Sequence, residues 1–500
     1  MKKSTNYFSR VLGALLLCAG MVMTSCEEMN PVDDNKTEQG GNEDNGNETP
    51  EPLVTASIQN ITYKDVEVTG KLNVSASDLP FCQVMVYYSS NETFNINAAT
   101  KVSVTTFDNE QKYIVTLTDL DYNTKYNYCV YAKLKSDELY TEIAAFTTSQ
   151  HPYLIQADIN MSSATDLSSS TSANCYIVSN AGLYKFKTVK GNSNESVGSV
   201  ASASILWETF GTDTEPELLD LISGVCYKDG YIAFQTVDTF KEGNAVIAAK
   251  DVDGNILWSW HIWLTDQPQE QEYYNNAGVM MDRNLGSTSA TPGDVGALGL
   301  LYQWGRKDPF LGSSSISRSE VAKSTITWPP AVSTSSSSGT VSYVTANPTT
   351  FVEGSSSTDY DWHYSSHDNT LWTTSDEPKS IYDPCPVGWR VPDGGDNGIW
   401  SNALGSSSYF TQSSLYDSIN EGMNFSGKFG SAQSIWYPAS GLRYSDDGSL
   451  RYVCSDGYYW SASSYNGFAY ALYVDDFDDS VSPKANRDQA HGYSVRCLQE

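Results

Sequence analysis

The sequence predicts a mainly β protein of several domains. Three observations support this: the chain has 500 residues, aromatic residues make up 12% of it, and only 18% of its residues are charged. A length of 500 residues suits about three domains of ordinary size. Tyrosine is abundant, with 33 residues, and Tyr and Trp favour strands. This composition is typical of an extracytoplasmic β protein.

The charge balance excludes two classes of partner. The chain carries 60 acidic residues against 30 lysines and arginines, a formal net charge of −30. Binding to nucleic acid needs a stripe of cations that neutralises phosphates, so nucleic acid is not expected as a partner. Electrostatic adsorption to an anionic membrane is excluded for the same reason.

The N-terminus predicts the compartment. An apolar stretch at 11–23 is too short to form a stable membrane span and is preceded by three cations, Lys2, Lys3 and Arg10. The following residues Met-Thr-Ser-Cys at 23–26 resemble the lipobox of bacterial lipoproteins. This resemblance implies a signal peptide at 1–25 and a diacylglycerol on Cys26. An ordinary secretory signal is the alternative.

Residues 26–52 are expected to form a disordered acidic tether. Nine acids and a single lysine lie at 27–52, without hydrophobic periodicity. Acids directly after a lipidated cysteine resemble the surface-export signal of some Gram-negative lipoproteins. The expected location is therefore the outer membrane, where the acylated N-terminus is held by lipid and the protein faces the cell exterior.

Residues 53–149 show short runs that alternate with a period of two, typical of about seven strands in an immunoglobulin-like sandwich. The stretch YIVTLTDLDYNTKYNYCVYAKL at 113–134 and AAFTT at 144–148 resemble a fibronectin type III domain. Leu120 and Tyr126 stand where that family has its corner pair. Such domains serve mostly as spacers, so the resemblance concerns fold.

Residues 150–270 predict a second β-sandwich-like domain. Its most aromatic strand places Trp258, Trp260 and Ile262 on one face and Ser259, His261 and Trp263 on the other. Three tryptophans so close together suit either sugar stacking or burial between this domain and the next. Burial is the favoured interpretation.

Residues 271–500 contain the most specific motifs. These are MDRNLG at 281–286, GLLYQWGRKDPF at 299–310, YDPCPVGWRVPDGGDNGIWSNAL at 382–404, YWSAS at 459–463 and GYSVRCLQE at 492–500. In this order they resemble the Fibrobacter succinogenes major paralogous domain. More loosely they resemble a C-type-lectin-like or sulfatase-modifying-factor scaffold, which implies an α+β domain. Residues 312–358 contain 15 serines and predict a long, mobile surface loop.

The expected pairing of the cysteines rests on these resemblances and on the export route, which permits disulfides. In the lectin-like scaffold the positions of Cys385 and Cys497 are neighbours, which implies a disulfide between them. Two buried free thiols are the alternative. Pairs Cys82–Cys129 and Cys175–Cys226 remain open within their own domains, which would leave Cys454 single.

No metal site, cofactor or catalytic group is expected. His363 and His367 have the i, i+4 spacing of a zinc site but stand in a loop-like context. Asp475, Asp476, Asp478 and Asp479 have oxygen ligands suited to Ca²⁺ but lack EF-hand spacing, so a solvated acidic hairpin is favoured. The sequence lacks the G-x-S-x-G, Walker and H-E-x-x-H motifs.

The motif arginines and tryptophans are expected to be structural. A buried arginine needs partners, and Asp282, Asp308 and Asp393 are the candidates. The arginines are Arg283, Arg306, Arg390 and Arg496. The tryptophans Trp304, Trp389, Trp400 and Trp460 are expected in the core rather than as sugar platforms.

Together these observations predict a lipid-anchored cell-surface binding or adhesion protein without catalysis. The expected ligand is a glycan or a cell-surface protein, held by loops of the last domain. The competing hypothesis is a structural subunit of the cell envelope or of a fimbria. A glycan-degrading enzyme is a third, less favoured hypothesis, because the sequence does not single out the pair of catalytic carboxylates that such an enzyme needs.

Overall fold

A computed structural model describes residues 52–500, except Ser319, Asp359, Ser365, Ser366, Ser413, Ser414 and Asp478. The predicted signal peptide 1–25, the predicted lipidation site Cys26 and nearly all of the predicted acidic tether lie outside the described residues. The predicted fold class is confirmed at the level of a mainly β, multidomain protein, with 38% strand and 6% helix. Within the described part of the chain, no helix combines the length and apolarity needed to cross a bilayer.

The first segment is a two-sheet sandwich of the fibronectin type III kind. One sheet contains, in order, Ser57–Gln59, Val66–Lys71 and Lys112–Leu117. The other contains Thr100–Val104, Cys82–Ser89, Lys125–Leu134 and Asp137–Tyr140, with Ala144–Thr147 also paired to Lys125–Leu134. At the corner before the sixth strand, the Asp121 amide donates to the Tyr126 hydroxyl over 2.9 Å, and Leu120 is buried. This is the tyrosine corner of such sandwiches.

The second segment is also built from two sheets that enclose a core. The first sheet has the order Cys175–Val178, Ile256–Leu264, Gly243–Lys250 and Ser202–Thr209. The second has the order Ile222–Lys228, Tyr231–Thr236, Leu183–Lys187 and Thr165–Asp166. Trp258, Trp260 and Ile262 point into the core between these sheets, as the period of two predicts.

The opposite face of strand Ile256–Leu264 is covered by the third segment. The Trp263 indole donates to the Ser287 carbonyl over 2.9 Å, and the Ser259 hydroxyl donates to the Asp308 carboxylate. Trp263 belongs to a hydrophobic cluster shared with residues between 281 and 497. Burial of this aromatic strand on both faces is therefore confirmed.

The largest sheet of the third segment is an eight-stranded, mainly antiparallel sheet. Its order is Phe410–Thr411, Ser480–Asp488, Phe468–Asp475, Asp456–Tyr465, Gly492–Ser494, Leu442–Arg443 and Leu450–Arg451, with Leu301–Gln303 beside Gly492–Ser494. A four-stranded sheet has the order Glu270–Tyr273, Gly278–Met281, Leu498–Gln499 and Trp389–Arg390. A three-stranded sheet contains Tyr416–Asp417, Gly422–Asn424 and Trp436–Pro438, and a pair contains Val332–Ser333 and Val352–Glu353.

Helices are short throughout the described residues. The α-helices are Val341–Ala346 and Ile399–Leu404, and the 3₁₀ helices are Leu79–Phe81, Pro152–Leu154, Tyr274–Asn276, Val295–Ala297 and Ser356–Thr358. Trp400 lies on the second α-helix and is buried. Two helices of six residues each do not confirm the expected α+β character of this segment.

The serine-rich insertion at 312–358 needs correction in its second half. It contains the helix Val341–Ala346 and two short strands, and Val344, Phe351 and Val352 are buried. These three apolar side chains reach the core, so low sequence complexity did not indicate a mobile loop there. The first half of the insertion also contacts the second segment, because the Thr209 hydroxyl donates to the Lys323 carbonyl over 2.6 Å.

The structure joins Cys385 and Cys497 by a disulfide, the pairing implied by the resemblance. The other candidate pairs are corrected, because the described cysteines at 82, 129, 175, 226 and 454 are free. Cys82 and Cys129 stand on adjacent strands, but Cys82 is opposite Leu134 and Cys129 is opposite Tyr87. Cys175 and Cys226 belong to the two different sheets of their sandwich.

Removal of the disulfide should destabilise the third segment. The bond spans 112 residues, so the Cys385→Ala/Cys497→Ala double variant should lose about 2–5 kcal/mol of unfolding free energy. Guanidinium unfolding followed by tryptophan fluorescence measures this, because all tryptophans lie between 207 and 460. Cys82→Ser, at a free and partly buried cysteine, is the matched control and should change stability little. An unchanged midpoint in the double variant would contradict the expectation.

Candidate functional site

The tryptophans singled out in the sequence are core residues. Ten of the twelve are buried: Trp207, Trp258, Trp260, Trp263, Trp304, Trp362, Trp372, Trp400, Trp436 and Trp460. Several indole N–H groups also donate hydrogen bonds inside the protein. Trp304 donates to the Ser461 carbonyl over 2.9 Å, and Trp460 donates to the Tyr302 carbonyl over 2.8 Å. Trp389 is only partly buried. Burial on this scale leaves little indole surface for a sugar ring.

The motif arginines are buried, but their partners differ from those expected. Arg283 pairs with Asp282 over 2.9 Å, as predicted, and also with Asp266. Arg306 instead donates to the Thr350 carbonyl over 2.9 Å and to the Gln303 side chain over 2.8 Å. Loss of hydration on burial lowers the pKa of Arg306 to about 10.

Two predicted carboxylate partners serve other groups. Asp308 pairs with Lys307 over 2.7 Å rather than with Arg306. The Asp393 carboxylate accepts from the Ser375 amide over 2.9 Å, while Arg390 donates to the carbonyls of Thr373 and Thr374 over 2.7 and 2.5 Å. Arg496 binds the Asn284 side chain over 3.1 Å and the Trp436 carbonyl over 2.6 Å. Backbone carbonyls therefore do much of the pairing that sequence reasoning assigned to aspartates.

The histidine pair does not form a helical ligand set. His363 lies in a bend at 362–364, and the His367 Nδ1 lies 2.8 Å from the Asp361 carboxylate. Asp361 is buried, so it holds the ring against the fold. The structure brings no third zinc ligand of the His, Cys, Asp or Glu type to these two among the residues described.

The acidic stretch is divided by the structure. Carboxylates of Asp475 and Asp476 lie within 4.8 Å of each other and of Asp456, which sequence reasoning missed. Asp456 is opposite Asp475 in the pairing of strands Asp456–Tyr465 and Phe468–Asp475, a register that is not visible in the sequence. Asp478 lies outside the described residues, and Asp479 accepts from the Tyr416 amide over 3.4 Å.

Electrostatics distinguish the carboxylates of this cluster. Burial, and then the neighbouring acids, raise the pKa of Asp456 above its usual value, while the Tyr458 hydroxyl donates to it over 2.7 Å. Arg318 donates to Asp476 over 2.8 Å. The cluster is thus already part of a protein network, with one arginine on its rim.

A different surface has the composition expected of a binding site. A groove of about 540 Å³ lies where helix Ile399–Leu404 ends at Gly405, whose φ of +68° makes it a left-handed C-cap. Its lining consists only of amide, hydroxyl and carboxylate residues and one glycine: Asn275, Asp396, Ser401, Asn402, Gly405, Ser406, Ser407 and Ser408. The groove therefore offers donors and acceptors without an apolar floor.

The fold holds this lining in place from behind. The Asn275 amide donates to the Asn402 carbonyl over 2.9 Å and joins the groove to the first strands of the segment. The Ser401 hydroxyl donates to the Gly395 carbonyl over 2.7 Å. Lys484 and the Ser407 hydroxyl both donate to Asp396 over 2.6 Å, and these bonds hold the pKa of Asp396 below its usual value. Asp396 is thus an oriented, ionised acceptor that is still 67% exposed.

Two other grooves, one larger and one smaller than the polar groove, have linings that mix polar, charged and apolar residues. One of about 660 Å³ lies on the first sandwich and mixes Thr69, Lys71 and Lys112 with Phe107 and Ile114. Another of about 480 Å³ lies beside Phe210, Glu215 and Lys241 of the second segment. Sequence reasoning did not find the polar groove, since Asn275 and Asp396 are brought together only by the fold. Its one local signal is the run GSSS at 405–408.

No family model matches the chain, and no curated protein is significantly similar to it. Among solved structures, the chain resembles the fn3 domain of human collagen alpha-1(XX) chain, at 15% identity over 23% of this chain and 96% of that chain, with a TM-score of 0.17. It also resembles the fibronectin type-III domain of human fibronectin type III domain containing protein 3, at 16% identity over 22% and 94%, with a TM-score of 0.16. The sensor domain of an anti-sigma factor of Pseudobacteroides cellulosolvens gives 17% identity over 20% and 99%, with a TM-score of 0.17.

Tryptophan burial has a direct test. Acrylamide should quench only a small part of the tryptophan fluorescence of the folded protein, because ten of the twelve indoles are buried. Quenching should become efficient after unfolding in guanidinium. Efficient quenching of the native protein would contradict the assignment of these indoles to the core.

Proposed function

We propose that this protein is a lipid-anchored cell-surface binding protein that holds a saccharide in the polar groove of its third segment. The observation that carries this proposal is the composition of the groove, whose eight lining residues are all Asn, Asp, Ser or Gly. A polyhydroxylated ligand presents many donors and acceptors in a small volume, and these side chains provide matching partners. An apolar ligand would gain little there.

Two exposed tyrosines are adjacent in the sequence to residues that line the groove. Tyr274, which is 40% exposed, precedes Asn275, and Tyr409, which is 56% exposed, follows Ser408. A sugar ring has apolar C–H faces as well as hydroxyls, so aromatic rings at the rim would complement the polar floor. Tyrosine, rather than the buried tryptophan, is therefore the aromatic residue proposed to contact the ligand.

Sequence features support the cellular setting of this proposal. The lipobox-like residues before Cys26 and the acids that follow imply an anchored and exported protein. The fibronectin type III-like sandwich would serve as a spacer between the membrane and the groove.

Binding of saccharides should depend on Asp396. The purified full chain should bind a subset of an immobilised glycan panel, and Asp396→Ala should weaken that binding by about tenfold, because an ionised acceptor is lost. Binding should vary little between pH 5 and pH 8, since the pKa of Asp396 lies below its usual value and the group stays ionised.

Asp253→Ala is the matched control, at an exposed aspartate in the turn after strand Gly243–Lys250. It should leave glycan binding unchanged. Failure of the full chain to bind any glycan, together with copurification with fimbriae, would instead favour a structural subunit. Turnover of a polysaccharide would favour an enzyme.

Lipid attachment should depend on Cys26. Cells fed labelled palmitate should incorporate label into the wild-type protein and not into Cys26→Ser, because the cysteine thiol is the acceptor in bacterial lipoproteins. Protease treatment of intact cells should degrade the wild-type protein if it faces the exterior. Cys18→Ser, within the predicted signal peptide, is the control and should keep the label. Label retained in Cys26→Ser, or full protection from protease, would contradict the anchoring or the orientation respectively.

A further inference from the structure

Two large apolar side chains in turns of the third segment are almost fully exposed. Phe477 is 87% exposed and Ile419 is 85% exposed, and Tyr452 nearby is 48% exposed. Single exposed apolar residues are ordinary, but neighbouring ones at loop tips are typical of contact surfaces. The three residues Phe477, Ile419 and Tyr452 are called the apolar tip below.

Polar contacts, those of Arg318 among them, connect the segments that carry the three residues of the apolar tip. Arg318 Nη2 lies 2.8 Å from the Asp476 carboxylate and 3.9 Å from that of Glu421. Phe477 follows Asp476 directly, and Ile419 is on the turn that leads into Glu421. On the other side, the Asp476 amide donates to the Ser455 carbonyl over 3.0 Å, and the Ser455 amide donates to the Tyr452 carbonyl over 3.1 Å.

Both loops that carry these side chains are braced by aspartates. The Asp475 carboxylate accepts from the Phe477 amide over 2.8 Å. The Asp417 carboxylate accepts from the amides of Ile419 over 2.9 Å and Asn420 over 3.2 Å. Apolar groups held outward by such turns lose little backbone freedom on binding, so they suit docking.

Charge decides which partner fits the apolar tip. Four carboxylates lie in or beside the segments that carry it, those of Glu421, Asp456, Asp475 and Asp476, and Arg318 contacts Glu421 and Asp476. A second copy would bring the same acids and a net charge of −30, so self-association is disfavoured. Anionic membranes and nucleic acids are repelled in the same way.

We propose that the apolar tip docks a basic amphipathic segment of another protein. The apolar face of that segment packs on Phe477 and Ile419, and its lysines or arginines meet the four carboxylates. Apolar anchors flanked by opposite charge are a common recognition mode for such segments. This surface does not include the residues that line the polar groove, so the protein would engage two partners of different chemistry.

A displayed library of random 16-residue peptides, selected against the full chain, tests the proposal. Enriched peptides should carry net positive charge with apolar residues at helical spacing. Their affinity should fall at least about tenfold with Phe477→Ser or Ile419→Ser and should weaken as salt is raised. Asp475→Asn/Asp476→Asn should also weaken binding.

Val252→Ser is the matched control, because Val252 is likewise 87% exposed but lies in the turn after strand Gly243–Lys250. It should leave peptide affinity unchanged. Enrichment of neutral or acidic peptides, or affinity that survives the Phe477 and Ile419 substitutions, would overturn the proposal. So would sedimentation showing that Phe477→Ser dissociates a dimer, since the tip would then contact a second copy. Glycan binding should be the same in Phe477→Ser as in the wild type, so the two proposals fail independently.

Discussion

Burial of strand Ile256–Leu264 on both faces is the constraint on which the rest of the structure depends. One face carries Trp258 and Trp260 into the core of the second sandwich, and the other presents Ser259, His261 and Trp263 to the third segment. A strand buried on both sides cannot expose polar side chains to water, so their polar groups are expected to pair inside the protein. All side-chain polar atoms of this strand do so except Trp260 Nε1 and His261 Nδ1. The third segment supplies partners for Ser259 and Trp263.

Because of this constraint, the polar side chains of the strand lie next to a buried ion pair and a buried neutral histidine. Lys307 donates to the Ser259 hydroxyl over 2.6 Å and to Asp308, and its ammonium lies 4.5 Å from the centre of the Trp258 ring. An ion pair removed from water is tolerated when further hydrogen bonds surround it, as they do here. His261 bonds the Asn244 side chain over 2.9 Å, and burial lowers the pKa of His261 to about 3, so the ring stays neutral. The Asn244 amide in turn donates to the Gly286 carbonyl over 2.8 Å.

Sequence reasoning succeeded where periodicity alone decides the structure. The period of two assigned Trp258 and Trp263 to opposite faces correctly, because side chains alternate along any strand. It failed where a contact depends on strand register or on backbone carbonyls. Asp456 joins Asp475 only through pairing of their strands, and Arg306 uses the Thr350 carbonyl, which carries no side-chain signal. The polar groove was missed for the same reason, since Asn275 reaches Asn402 across the fold.

Rigidity of the interior explains why the two proposed contact surfaces lie at the ends of elements. Indoles and arginines fill the space behind the strands and donate to backbone carbonyls, as Trp460 does to Tyr302 and Arg496 to Trp436. Such a core has no freedom to admit a ligand. Helix ends and hairpin turns direct polar and apolar side chains toward solvent. The packed core fixes the position of each helix end and turn. The Gly405 cap thus presents the serines of the groove, while the turns at Ile419 and Phe477 present the apolar tip.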